Sequence, residues 1–257
     1  AAISKDQLYG YIDLKGKTVI PLQYTGAASY SEGKAAVRVK KKWGFIDTAG
    51  TMLIAPAYAE VGAFQLGLCA ARKSDDWGMI DTTGAMILRA KYSEIGTFDP
   101  IYHRAWIRQN KLWGLVSATG AIVLKPAWGF HDEFDGNTLC RVAYRNAYGF
   151  IDAGGKTRIQ NLYAKASPFT ADYAGVLEDN GQVRYISKAQ RSYTVDTDVP
   201  VECRQGFIEG RKVSVTEQTL TDTLGEVTVV QEYRIAYALY DGDGNAISIA
   251  PYTAAQP

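Results

Sequence analysis

Histidine, cysteine and methionine are scarce in this chain, with two, three and three residues among 257. Two histidines leave little material for histidine metal sites or histidine-based catalysis. Three cysteines cannot all pair within one chain, so no disulfide framework is readable. No apolar run approaches the roughly 18 residues that a membrane-crossing helix needs, so no membrane span is expected. Neither sign of charge dominates: 28 Lys plus Arg face 27 Asp plus Glu, for a net charge of +1. That balance argues against a nucleic-acid partner, because general affinity for nucleic acid rests on surplus basic charge. No glycine-rich phosphate loop or nucleophile elbow is present, and no cofactor is expected. No long stripe of period 3.6 exists either, which predicts little helix. What the chain does have is aromatics, with 17 Tyr, 8 Phe and 5 Trp, and these recur at fixed offsets.

Trp43-Gly44-Phe45-Ile46-Asp47 returns as Trp77-Gly78-Met79-Ile80-Asp81, Trp113-Gly114-Leu115-Val116-Ser117 and Tyr148-Gly149-Phe150-Ile151-Asp152, with an earlier copy at Tyr9-Gly10-Tyr11-Ile12-Asp13. The starts at 9, 43, 77, 113 and 148 are 34, 34, 36 and 35 residues apart. A glycine follows at plus seven (Gly16, Gly50, Gly84, Gly120, Gly155) and an aromatic at plus fifteen (Tyr24, Tyr58, Tyr92, Trp128, Tyr163). Another aromatic stands at plus twenty-one (Tyr30, Phe64, Phe98, Phe134, Phe169). A degenerate copy begins at Val183-Arg184-Tyr185-Ile186-Ser187, and a partial one at Tyr237-Ala238-Leu239-Tyr240-Asp241. The latter carries the front of a repeat, and Ala1-Ala2-Ile3 ahead of Tyr9 supplies the back of one, as Ala35-Ala36-Val37 does ahead of Trp43.

Lys42-Trp43-Gly44-Phe45-Ile46-Asp47 with Gly50, then Ile54-Ala55-Pro56-Ala57-Tyr58 and Phe64-Gln65-Leu66-Gly67, resemble the bacterial WG (KWG) repeats. The resemblance covers roughly residues 1–215 and 237–252. It specifies a repeat type and says little about function, since the family is a module of many bacterial proteins. Ser117 and Ser187 depart from its aspartate, and Val183-Arg184 from its Trp-Gly, so the sixth unit is expected to be the least regular.

Short alternating or apolar runs bounded by Gly and Pro read as strands, and Asp47-Thr48-Ala49-Gly50 as a hairpin turn. Tyr58 to Phe64 reads as a fourth short strand or a loop. A unit of this size cannot bury both faces alone, so neighbouring units must share a core. The expectation is one all-β repeat domain over 1–257. Its units lie near 9–42, 43–76, 77–112, 113–147, 148–182 and 183–236, with a last one made of 237–257 plus 1–8. The composite unit favours a closed β-propeller of seven units over an open β-solenoid, because closure leaves no long exposed edge. The sixth unit is overlong, and residues 216–234 read as an extra β-hairpin that either seals the ring or projects toward a partner.

Among chemical constellations, Asp13, Asp47, Asp81, Asp152 and Asp241 form an array, but each starts a turn and turn formation is the better reading. Asp241-Gly242-Asp243-Gly244-Asn245 lacks the glycine and glutamate spacing of a calcium loop. Cys69 and Cys140 read as small buried apolar residues, while Cys203 lies in the degenerate copy. Lys40-Lys41-Lys42 reads as a solvated hairpin tip. The repeated Trp and Tyr residues read as core. Function is sought where units differ. Asp99-Pro100-Ile101-Tyr102-His103 replaces the usual turn and leads into Arg104, Trp106 and Arg108, and the next unit carries Trp128 and His131. His103, Arg104, Trp106, Arg108 and His131 are the candidate binding residues, because Trp and Arg are enriched at interface hot spots. The two histidines are too few for zinc.

The leading expectation is a non-enzymatic protein-binding scaffold. The alternatives are a carbohydrate-binding propeller, which would need exposed Trp faces, and an enzyme working in a central channel. Ala1 in place of Met is compatible with removal of a secretory signal or of a tag. A periplasmic, cell-envelope or secreted location is expected, with the cytoplasm as the alternative.

Overall fold

The computed structural model describes residues 1–134, 138–169, 173–189, 192–194, 208–221, 227–240 and 246–252. Every regular element among them is a strand, arranged in seven separate antiparallel sheets. The chain divides into two compact units, Ala1–Trp128 and Gly129–Pro257.

The first unit holds four sheets. The first sheet comprises Ala2–Lys5, Leu8–Ile12 and Thr18–Tyr24. The second comprises Gly26–Ser31, Lys34–Val39, Lys42–Ile46 and Met52–Tyr58. The third comprises Glu60–Val61, Leu68–Arg72, Trp77–Asp81 and Met86–Tyr92. The fourth comprises Glu94–Ile95, Arg104–Gln109, Leu112–Ser117 and Ile122–Trp128. The segment after Tyr58 is therefore a strand, two residues long, held by pairing Glu60 with Arg72 and Val61 with Ala71. Sheet and sequence repeat are offset: each four-stranded sheet takes its first two strands from the end of one repeat and its last two from the start of the next.

The second unit holds the fifth sheet (Phe130–His131, Leu139–Tyr144, Ala147–Asp152, Thr157–Tyr163) and the sixth (Lys165–Ala166, Tyr173–Leu177, Val183–Ser187, Ser192–Thr194). The seventh comprises Ile208–Thr221, Val227–Tyr240 and Ala246–Tyr252. Its first two strands, of 14 residues each, pair from Ile208↔Tyr240 to Thr221↔Val227 and reach beyond the 216–234 segment at both ends. Cys203, the Asp241–Asn245 loop and residues 253–257 of the composite unit lie outside the described residues.

Packing explains why the strands do not simply alternate. Ala36 and Phe45 join the core shared with the third sheet, together with Tyr58, Phe64 and Ile80. Their neighbours Ala35, Val37 and Ile46 join Tyr11, Ile20 and Tyr24 of the first sheet. A strand buried on both faces reads as a continuous apolar run. One aromatic pair recurs at the same repeat positions. Phe45 and Phe64 lie edge-on with centroids 4.8 Å apart, as do Phe150 and Phe169 at 4.8 Å, and Tyr11 meets Tyr30 at 4.9 Å. Emptying one such site costs about 3–5 kcal/mol.

The glycine of the repeated Trp-Gly pair is there for space. Trp43 pairs with Tyr58, yet Phe45 pairs with Ile54, so the following strand bulges between them. The bulge drives its backbone onto Gly44, where a Cβ would stand 2.4 Å from the Ile54 carbonyl oxygen. Gly10, Gly78, Gly114 and Gly149 are crowded in the same way by carbonyls at 2.4, 2.5, 2.5 and 2.7 Å. The sixth sheet pairs Arg184↔Thr194, Tyr185↔Tyr193 and Ile186↔Ser192 without a shift, which is why Arg184 can stand where the others need glycine. The degenerate copy thus still forms its strand, with Tyr185 and Ile186 buried.

Candidate functional site

The repeated aspartates work as turn formers. Asp47 Oδ1 accepts the amides of Ala49 and Thr51 at 2.9 and 2.8 Å, and Asp13, Asp81 and Asp152 each accept the two equivalent amides. Ser117 Oγ does the same at 3.3 and 3.2 Å. The Thr51 amide holds the Asp47 carboxyl below its ordinary range, and the Thr83 hydroxyl does so for Asp81. Carboxylates fixed this way serve the backbone of their own hairpins.

Cys69 and Cys140 are each 1% exposed, in line with the small-apolar reading. Burial pushes the Cys69 thiol up to about 12 and that of Cys140 higher still. Both are therefore poor nucleophiles, since the thiolate is the reactive form.

The motif tryptophans are not wholly interior. Trp43, Trp77 and Trp113 are half-buried, and an arginine from the cross-strand position covers each ring: Arg38 at 5.6 Å, Arg72 at 5.8 Å and Arg108 at 5.1 Å from the centroid. Arg72 pairs with Glu60 at 2.7 Å and Arg108 with Glu94 at 3.6 Å. Tyr58 and Tyr92, by contrast, lie in the core.

The irregular segment is an ordered turn. Asp99 Oδ1 accepts the amides of Ile101 and Tyr102 at 2.9 and 2.6 Å, and the His103 amide donates to the Asp99 carbonyl at 3.0 Å. His103 is exposed, with a left-handed φ of 54°. Arg104 is partly exposed, and its Nη1 donates to the His103 carbonyl at 3.3 Å. Trp106 is 3% exposed and belongs to the core, so it presents no open face to a partner. It stands where the second and third sheets carry Ala36 and Ala70, each of which lines a cavity, of ≈ 190 and ≈ 160 Å³ respectively. Both are smaller than the roughly 300–1,000 Å³ of typical small-molecule pockets. Arg108 is the cover of Trp113 described above. The structure thus places His103 at the end of the turn and sets Arg104, Trp106 and Arg108 on the strand that follows.

His131 belongs to the second compact unit, where it is partly buried with Nδ1 3.0 Å from the Asp132 carbonyl. Around it lies a cluster that sequence reasoning missed. Arg141 pairs with Asp132 at 2.8 Å, donates to the Ala166 carbonyl, and covers the rings of Phe130 and Tyr148 at 5.1 and 5.7 Å. The signal was in the repeat alignment: Phe130 and Asp132 replace Glu60 and Gly62, and Arg141 replaces Ala36 and Ala70. Among the described residues no group of three His, Cys, Asp or Glu could hold a metal ion, and no helix is long and apolar enough to cross a membrane.

The remaining departure is the long hairpin of the seventh sheet. Ala246–Tyr252 pairs with Val227–Tyr240 only from Ile235 to Tyr240. Beyond that, the pairs from Ser214↔Arg234 to Thr221↔Val227 continue as a ribbon of two strands. Among the described residues its outer edges have no strand partner.

These features define an all-β repeat protein built from antiparallel sheets. A model of the WG containing repeat matches residues 9–43, 43–75, 77–113 and 148–181. These stretches make up more than half of the chain, which belongs to the WG-repeat family. No curated protein matches it. Among solved structures, the chain is similar to a eukaryotic initiation factor at 12% identity, covering 97% of this chain and 72% of that one with a TM-score of 0.43. BamB from Moraxella catarrhalis is similar at 12% identity, with 98% and 87% covered and a TM-score of 0.37. The C-terminal WD40 domain of Sif2 is similar at 14% identity, with 90% and 69% covered and a TM-score of 0.32. These likenesses are too distant to bear on function.

Proposed function

We propose that the chain is a non-catalytic scaffold that binds a protein partner along the ribbon at 214–221 and 227–234. The observation that carries this reading is the extension of the long hairpin past its third strand. An unpaired strand edge offers a row of amides and carbonyls, and an extended peptide adds to such an edge by main-chain hydrogen bonds. The repeated polar groups support it from the other side, since the aspartates are engaged in their turns and the described cysteines are buried.

The carbohydrate-binding reading ranks second, because Arg38, Arg72 and Arg108 cover the indole faces that sugars would stack on. The proposal includes closure of the seven sheets into a propeller, supported by the first sheet having three described strands where the second has four. Small-angle scattering separates a compact ring from an extended solenoid. It also includes an envelope or secreted location, which fractionation of native cells tests.

The main test replaces 214–234 by a short turn and compares capture from native lysate. Proteins held by the full chain and lost from the shortened one, with thermal melts alike, support the arm as the docking element. An unchanged set of captured proteins overturns it.

A further inference from the structure

We infer that the hairpin tip between Lys34–Val39 and Lys42–Ile46 is a second docking point, one that takes an acidic, extended protein segment. The inference rests on the scaffold reading only in taking the ligand to be protein, and it uses a surface other than the ribbon.

Equivalent tips recur in the neighbouring sheets, and their charges differ. The first sheet turns through Asp6-Gln7, the third through Lys73-Ser74-Asp75-Asp76 and the fourth through Asn110-Lys111. The first carries a single anion, the third is mixed in charge and the fourth carries a single cation. The second sheet turns through Lys40-Lys41 and continues into Lys42, and all three lysines are exposed. In the third and fourth sheets the arginine over the tryptophan is neutralised by Glu60 or Glu94. In the second sheet that glutamate position is Gly26. A Cβ on Gly26 would stand 3.1 Å from the Trp43 ring and 3.2 Å from Arg38 Nε, so Arg38 packs into the space a carboxylate would need.

The sheet's own acids do not reach the tip. Glu32 lies at the far end of the hairpin and accepts the Leu66 and Gly67 amides at 2.7 and 3.0 Å. Asp47 closes its own turn at that same end. Arg38, Lys40, Lys41 and Lys42 therefore form a cluster with no ion pair among the described residues.

The tip is also held in shape. Thr25 Oγ1 donates to the carbonyls of Arg38 and Lys40 at 3.1 and 2.9 Å, and Arg38 Nη2 donates to the Thr25 carbonyl at 2.6 Å. Lys40 sits at a left-handed φ of 58°, a conformation that Gly or Asn adopts more readily. A rigid turn presenting three lysines beside a half-buried Trp43 fits carboxylates spaced along an extended chain. With the whole chain near neutral, the attraction is local to the tip and suits a short acidic segment better than a long polyanion.

The test measures fluorescence anisotropy of a labelled short oligo-glutamate peptide against the full chain. Its partners are the Lys40→Asn/Lys41→Ser/Lys42→Ser variant, a Lys73→Ser control at the next tip, and the chain shortened at 214–234. The Asn keeps the left-handed position occupied by a residue that tolerates it, and a thermal melt checks folding. Saturable binding by the full, control and shortened chains is expected, weakened by added salt and reduced about ten-fold or more in the triple variant. Equal binding by the triple variant overturns the inference, as does absence of saturable binding to the full chain. Tighter binding of a single-stranded oligonucleotide of matched charge overturns it in favour of nucleic acid. Because the shortened chain keeps the tip, failure of the ribbon as a docking element and failure of the tip are read separately.

Discussion

Two kinds of glycine recur among the repeats, one in the Trp-Gly pair and one in turns, and the structure gives them different reasons. Gly44 is fixed by space: its Cβ would meet Ile54 O at 2.4 Å, Pro56 N at 2.8 Å and Ala55 C at 3.0 Å, all of them backbone. Gly33 is fixed by conformation, with a φ of +73° and nothing within 4 Å. Replacing Gly44 by Ala forces the bulged strand away from its neighbour. Overpacking of that kind costs about 1–3 kcal/mol, and a weakened ladder hydrogen bond adds about 1. The sum of about 2–4 kcal/mol corresponds to a melting temperature lower by roughly 5–15 °C. Gly33→Ala costs about 1 kcal/mol for its left-handed backbone alone. Asparagine separates the two causes, since it tolerates a left-handed φ but still carries a Cβ. Gly33→Asn should melt close to the parent, and Gly44→Asn at least as low as Gly44→Ala. Thermal melts followed by circular dichroism decide the matter. Equal losses at the two positions, or a Gly44→Ala protein that melts with the parent, would refute the steric explanation.

Three further outcomes are expected. In a Cys203→Ser protein, Cys69 and Cys140 should be silent to a thiol reagent at mildly alkaline pH and react once guanidinium unfolds the chain. Fast reaction of the native protein would contradict their burial. The lowered carboxyls of Asp47 and Asp81 contribute stability that is present above the ordinary carboxylate range and is lost as pH falls through the depressed folded values. Melting temperature should therefore hold level above about pH 5 and fall below about pH 4, with a blunter fall in Asp47→Asn/Asp81→Asn. Finally, Asn110 and Lys111 turn between paired Gln109 and Leu112 with φ of 51° and 65°, a turn that Asn-Gly suits best. Lys111→Gly should raise stability by about 0.5–1 kcal/mol in a denaturant melt.

The hairpins of residues 1–182 were legible because their turn chemistry is local: Asp47 caps amides two and four residues on, and Gly50 supplies the positive φ. The short Glu60–Val61 strand stood open as strand or loop because only its pairing with Ala71 and Arg72 holds it. The crowding of Gly44 comes from residues ten and more positions on, so no local pattern announces it. The arginine covers were hidden for the same reason. Arg38 reads as the polar residue of an alternating strand, and only the register that sets it opposite Trp43 shows what it covers. At the candidate site, the hairpin was legible as surplus length. Burial of Trp106 was not, since an indole in place of Ala36 or Ala70 can either leave the core or fill it.

Hydrogen exchange of the full chain, with and without a captured partner, tests the docking role of the ribbon most directly. Strand addition ties up backbone amides, so those of 214–221 or 227–234 should become protected when the partner binds. Protection confined to other segments, with the ribbon exchanging as before, would contradict a scaffold that docks its partner there.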